Sequence, residues 1–470
     1  MLSQRNHLLP RLARYASFRM SLPPTGVSSA PVQFNFVPMA KILPFRALRY
    51  NPARVNLADV VTQPYDKITP EMQERYYAAS PYNLVRVILG KRQPGDNGEN
   101  VYTRASAAFS EWRNDGVFVP DAEPSLYAYS QEFTIPGSEK SLERLGFIAI
   151  CQLEPCDAGV IFRHEQTHSG PKLDRLNLLR ATRAHFGQIF MLFSDPAGEI
   201  DKVLTDVSRY EPEMDVVDEY DVRHRVWPAP GLVQFVSPRM QNAKLIIADG
   251  HHRYETALNY QRERREQDPS SLPFGEAPYD SVMMTFVNMY SDGLLILPTH
   301  RVIAGLDNFR EQEFLELVQL LFDIERVEVQ NATHATTLLK EAGVDRTAIL
   351  ATTKDGAYLL RARTAEIEKA LAHLSSHQRA LDVVVLHKLL LEQALGISEE
   401  AIREQRYISY VRDAREAIER VRKEGNLAFL MNPVRIEQVR DTAFAGEVLP
   451  QKSTDFYPKL LSGLTIYALE

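Results

Sequence analysis

From Lys41 onward, short continuous apolar runs alternate with stretches whose apolar residues recur every three or four positions, the patterns of buried strands and of helices packed on one face. A helix is predicted to open at Thr69-Pro70-Glu71, with Thr69 as N-cap and Pro70 in the first helical position, and to stop before Ser80-Pro81. The run 84–89 predicts a short buried strand, the Gly- and Pro-containing stretch 90–98 a loop, and Val101, Ala105, Ala108, Phe109 and Trp112 one face of a helix. Segments 127–135 and 145–153 read as two antiparallel strands. Leu173, Leu176, Leu179 and Ala184 predict a helix over 172–184, followed by a strand at 189–193; 232–236 is apolar but of undecided type, closed by Pro238. A buried strand is predicted at 244–248, a helix at 254–265 with Tyr254, Ala257 and Leu258 inward, a proline-rich loop at 268–278 and a strand at 281–289. After Phe309 helices are expected to dominate to about Val421, with one strand at 348–352; the last strands are predicted at 427–431 and 464–469. The mixture predicts an α/β or α+β fold of mixed sheets with flanking helices.

Composition narrows this picture. At 470 residues the chain exceeds one ordinary core. Lys and Arg total 54 against 61 Asp and Glu, a net charge of -7, which excludes the strongly basic balance of a dedicated nucleic-acid binder, so DNA is not an expected partner. The only cysteines, Cys151 and Cys156, cannot build a disulfide framework or a four-cysteine zinc site. No run approaches the roughly 20 apolar residues of a membrane span, so no membrane partner is expected. Charge is uneven at the start: Arg5, Arg11, Arg14 and Arg19 precede the first acidic residue, Asp59. Such a leader reads either as a mitochondrial presequence or as an over-extended reading frame with translation from Met39. The second reading is preferred, with residues 1–38 outside the fold and a cytoplasmic location; the first would place the protein in the mitochondrial matrix.

Three segments carry candidate chemistry. In the first, an apolar strand ends in Asp249, Gly250 permits a tight turn, and a helix begins near His252. Free helix amides and the Arg253 guanidinium then converge on one spot, which suits a phosphate group. Asp249 could accept a proton from a hydroxyl, hold a metal ion, or merely cap the helix; His251 and His252 could donate to phosphate oxygens. The second, near the C-terminus, supplies cations and hydroxyls from Lys452, Ser453, Thr454, Tyr457 and Lys459 without the glycine spacing of a P-loop. The third, His164-Glu165-Gln166-Thr167-His168, satisfies HExxH, yet Gly170 and Pro171 leave little room for the helix a zinc peptidase needs. His164 and Glu165 therefore read as polar active-site residues at a strand end, and no metal ligand is assigned. Smaller clusters at Tyr65-Asp66, Asp174-Arg175, His224 and His300-Arg301 are candidates for substrate contact or support.

The segments PFRALRYNP, QPYDKIT, SPYNLVRV, FRHEQTHSGPKLDRLNLLRATRA, IADGHHRYETAL, LPTHR and PQKSTDFYPKL resemble, in order, the blocks of the family catalogued as domain of unknown function 1015. The likeness begins near residue 41 and runs to the end, which implies one unit over 39–470 with interleaved lobes, approximately 39–220, 221–305 and 306–470. The Asp249 to Arg253 turn also resembles the phosphate-binding strand-turn-helix of the ParB/sulfiredoxin superfamily, especially its free serine kinases. That resemblance implies that Asp249 activates the substrate hydroxyl and that a separate glutamate acts, for which Glu165 is the candidate. The expected activity is transfer of a phosphoryl group from ATP or ADP, with Mg2+, to a small hydroxylated metabolite, free L-serine first. The alternatives are a phosphatase or metal-dependent hydrolase using the HExxH segment, and a ParB-like nucleotide-binding regulator.

Overall fold

The buried-strand runs between Ile42 and Asn288 assemble into a nine-stranded mixed sheet in the computed structural model, which describes residues 39–165, 169–267 and 272–470. The leader 1–38 lies outside the described residues, as do His168 of the HExxH segment and the first part of the loop expected at 268–278. Strands follow one another across the sheet in the order Ile161–Arg163, Leu245–Asp249, Ile189–Phe193, Ser281–Asn288, Ser141–Gln152, Leu126–Thr134, Arg223–Ala229 and Met214–Val217, with Ile42–Leu43 also paired to Ser141–Gln152. Leu245–Asp249 runs parallel to Ile161–Arg163 and antiparallel to Ile189–Phe193. Its alternate residues enter two cores. Ile246 and Ala248 pack with Tyr127, Phe190 and Phe456, whereas Leu245 and Ile247 pack with Phe147, Met191 and Tyr254. Burial on both faces explains why this strand reads as a continuous apolar run.

The helix Ser169–Thr182 contributes Leu176 and Leu179 to the first core; the helices Glu199–Ser208, Leu232–Met240 and His251–Gln267 contribute Leu204, Val236 and Ala257 to the second. A second, six-stranded antiparallel sheet follows in the order Phe322–Val327, Ala357–Ala362, Ala348–Thr352, Leu427–Met431, His300–Ile303 and Ile408–Val411. The short strand Asp455–Tyr457 pairs with Leu295–Leu297. Among the described residues no helix is long and apolar enough to cross a membrane.

Several local expectations are corrected. The run expected as a strand at 84–89 is a helical turn, Val85–Ile88, because Asn83 turns its side-chain oxygen onto the Val85 N–H and starts a helix that an apolar run alone cannot distinguish from a strand. The undecided 232–236 segment is the start of a helix that contains Pro238. The helix expected to reach Ala184 ends at Thr182; Arg183 takes a left-handed conformation (φ 49) and Ala184–His185 pairs with Tyr467–Ala468, to which the strand expected at 464–469 is reduced. Past Phe309 the structure has more strand than expected, because Phe322–Val327 is a polar edge strand. Its Asp323 and Glu325 pair with Arg363 and Arg361 at 2.9 and 2.6 Å and mask the alternation.

Candidate functional site

The Leu245–Asp249 strand breaks register with its antiparallel neighbour between Ile247 and Asp249, an irregularity that re-aims the side chain at its end. Gly250 follows with φ +96, and a Cβ there would stand 3.1 Å from Arg253 Nε and Nη2, so glycine is needed for conformation and for space. The helix opens at His251. Arg253 Nη2 donates to Asp249 Oδ2 at 2.8 Å, and Nη1 donates to the Gln188 carbonyl. Asp249 thus turns both oxygens to cations, since Lys459 Nζ lies 3.6 Å from Oδ1. Burial acts to raise the Asp249 carboxyl, but Lys459, Arg253 and Lys67 outweigh it and hold the group well below the ordinary carboxylate range. A carboxylate held this low is a weak proton acceptor, and both oxygens of Asp249 lie against cations.

Lys459 is brought to this turn by a clamp that the sequence does not advertise. Arg144, 1% exposed, donates from Nη1 to the Tyr457 carbonyl at 3.0 Å and from Nη2 to the Pro458 carbonyl, while Nε donates to Gln131 Oε1 at 3.1 Å. Gln131 Nε2 in turn donates to the Lys459 carbonyl at 2.9 Å. Held by its backbone, Lys459 sets its ammonium between Asp249 and Asp455, the latter at 3.2 Å and also paired with Arg412 at 2.6 Å. Replacing Arg144 by leucine leaves these acceptors unpaired in the core. We expect a stability loss of about 3–5 kcal/mol, read as a lower thermal midpoint, because breaking a buried charged network costs more than its net worth.

His164 is fully buried, with Nδ1 2.7 Å from the Ile247 carbonyl and Nε2 2.8 Å from Thr454 Oγ1. The carbonyl can only accept, so the proton sits on Nδ1 and Nε2 accepts from the threonine. Burial pushes this imidazole down to about 4. Both nitrogens are used, which leaves His164 nothing to give a metal ion. His251 packs edge-on to it at 4.8 Å, is pushed well below the ordinary range by burial and then by His164, and has a buried Nε2 without a partner among the described residues. Beside them Glu165 accepts from the Lys452 N–H at 3.2 Å, and the adjoining His164 carbonyl accepts from the Leu449 N–H at 2.8 Å. Burial raises the Glu165 carboxyl, against the opposing pull of Lys452.

A cleft opens beside Arg253. Its wall is mostly apolar, with Ile88, Leu178 and Phe186, and carries Tyr65 and Arg175 as well. The Arg175 guanidinium lies 4.1 Å over the Tyr65 ring and is tied to Asp174, which also accepts from Tyr102 Oη at 2.8 Å. Cations with a neighbouring apolar cleft form the kind of surface that takes an anionic group attached to an organic body.

Against this geometry the comparisons can be placed. A family model described as "Protein of unknown function (DUF1015)" matches residues 42–384. The chain belongs to that family. Comparison with curated proteins gives no match. Among solved structures, this DUF1015 chain is similar to a conserved hypothetical protein from Pyrococcus furiosus, at 12% identity and a TM-score of 0.31 over 65% of this chain and 90% of that one. It is also similar to a free serine kinase in complex with AMP (14% identity, TM-score 0.30, 65% and 88% of the two chains). A third is SbnI with C-terminal truncation from Staphylococcus aureus (12%, 0.33, 68% and 87%).

Within the DUF1015 chain, Asp249 meets both Arg253 of its own turn and Lys459, and Glu165 meets the backbone of Lys452. The exposed Asp66 acts by charge on Lys459, and His252 is half-buried on the first turn of the helix. Other residues are used differently from the expectation. The Ser453 hydroxyl donates to Pro450 O and that of Thr454 to His164, so both hydroxyls help to shape the loop. Tyr457 contributes its carbonyl to the Arg144 clamp. Arg301 is buried and donates from Nη2 to the Lys452 carbonyl at 3.1 Å, which makes it a support for the loop. His300 accepts from the Met431 N–H inside the second sheet, and His224 bonds Tyr129 and Asp218; neither bonds a residue of the turn. Lys67 was missed although it lies in the QPYDKIT block. Burial and then Lys459 lower its ammonium while Asp66 and Asp249 oppose them, which places its charge at the same site.

Proposed function

We propose that the protein transfers a phosphoryl group from a nucleotide, ATP or ADP, to a hydroxyl of a small metabolite. The observation that carries this reading is a pair of carboxylates with opposed environments beside a cluster of cations: Asp249 is held low by Lys459, Arg253 and Lys67, and Glu165 is raised by burial. Environments that push two carboxyls apart assign them different roles. In the reaction the acceptor oxygen attacks the terminal phosphorus while its proton passes to Glu165. The bond from phosphorus to the bridging oxygen breaks, and its electron pair leaves on the nucleotide. Arg253, Lys459 and the first-turn amides of the His251–Gln267 helix offset the charge on the moving group. The cleft beside Arg253 would receive the organic part of one reactant.

The cation cluster fits a polyphosphate. Magnesium supplies further charge neutralisation when a nucleotide binds, and Asp249 and Asp455 are the carboxylates placed to hold it. The resemblance of the turn to that of free serine kinases makes L-serine the first acceptor to assay. Incubation with ATP or ADP and L-serine is expected to yield phosphoserine, and the acid limb of kcat/KM should titrate above the ordinary glutamate value of 4.5. Glu165→Gln should lower kcat by about 100-fold or more and remove that limb. A protein that transfers phosphate to no hydroxy amino acid from either donor overturns this reading.

A further inference from the structure

A second cavity lies in the C-terminal half, and its wall includes the 448–451 segment that leads into Lys452. On its wall is His387, 7% exposed, whose buried Nε2 has no partner among the described residues. That histidine belongs to a π-helical stretch, Leu386–Ala394, a rare backbone form that concentrates at functional sites. Leu374, Val384, Ile402 and Leu449 give the cavity apolar walls. Its charged residues are unevenly matched. Lys388 is shared between Glu392 at 2.8 Å and Glu399 at 3.3 Å, which leaves one carboxylate in surplus, and the exposed Arg403 has no ion-pair partner among the described residues.

We infer that this cavity is a second ligand site for a free α-amino acid with an apolar side chain that ends in a polar atom. One surplus acid and one surplus base at one opening match an ammonium and a carboxylate carried on a single carbon. The apolar walls match a side chain directed inward, and the orphaned His387 Nε2 requires a hydroxyl or similar group at its end, since a buried unpaired nitrogen is costly. L-tyrosine satisfies all three demands. The site is distinct from the Asp249 turn, although Leu449, in the wall of the cavity, also donates its N–H to His164.

Calorimetric titration of the full chain with L-tyrosine tests the inference. Saturable binding is expected, at least tenfold weaker for L-phenylalanine, tyramine and 3-(4-hydroxyphenyl)propanoate, each of which lacks one of the three groups. Arg403→Ala and Glu399→Gln change exposed side chains that the fold does not need, and each should weaken binding at least tenfold, whereas Asp249→Asn should leave it unchanged. Absence of binding at millimolar L-tyrosine overturns the inference. So does binding that survives both rim variants, and so does binding abolished by Asp249→Asn, which would place the amino acid at the other site.

Discussion

Lys459→Met is expected to cost about 3–5 kcal/mol of stability and to weaken nucleotide binding by about 10- to 100-fold. Lys459 is the one cation that bridges two acids at this site, Asp249 at 3.6 Å and Asp455 at 3.2 Å, and its side chain is only 10% exposed. Burial works to lower its ammonium, but Asp249, Asp455 and Asp66 outweigh it and keep the charge in place. Methionine fills the same volume without charge. Asp249 would retain Arg253 and Asp455 would retain Arg412, yet two like charges would face each other across a buried gap. Asp249 would rise from its depressed value as the cation that does most to lower it disappears. The measurement is a thermal midpoint across pH for both proteins. Asp249 is depressed in the folded state, so its contribution is present above its unfolded value and lost as pH falls through the folded one. In the variant that loss should be smaller and should end at higher pH.

A second large effect is expected on acidification. His164, His251, His300 and His387 are all buried, and burial is the first cause that lowers each of them: to about 4, well below the ordinary range, to about 4 and to about 3. In the unfolded chain each titrates near 6.5, so between pH 6.5 and 4 the unfolded state binds more protons and stability falls as pH falls. Each histidine contributes up to about 1.4 kcal/mol per pH unit within that window. Four acids act in the opposite direction, because burial raises Asp382 to about 6 and also raises Glu154, Glu165 and Asp201. With His185, which burial also lowers to about 4, five histidines stand against these four acids and leave a net loss. Denaturant unfolding with proton counting at pH 5 should show net proton uptake, and His387→Gln should reduce it by about one proton; release of protons or no uptake would contradict the assignment of these histidines as buried and neutral.

Much of the site was legible because its chemistry is concentrated in short segments. A strand that reads as apolar through Ala248 and ends in Asp-Gly-His-His-Arg leaves few alternatives to a turn that gathers charge. The roles within it were less legible. Asp249 reads as a proton acceptor until Lys459, 210 positions later, is found beside it, and no local pattern reveals a contact over that separation. Arg144 illustrates the limit most clearly: it follows Glu143 in the polar first part of a strand, where it reads as a surface charge, and only the fold shows that its guanidinium anchors the Tyr457–Lys459 backbone. The secondary structure was misread where edge strands carry charge, as at Phe322–Val327, and where a short, mostly apolar segment could be either element, as at Val85–Ile88. In both places the deciding partner is distant in sequence or is a single polar cap.

The most direct test is isothermal titration of the purified protein with ATP, ADP and AMP in the presence of Mg2+, beside Arg253→Ala and Lys459→Met. Saturable one-to-one binding, weakened at least about tenfold in each variant, is the predicted result. Absence of binding in the unmodified protein, or equal affinity in all three, would contradict a phosphate site built from the Asp249 turn and the Lys459 loop.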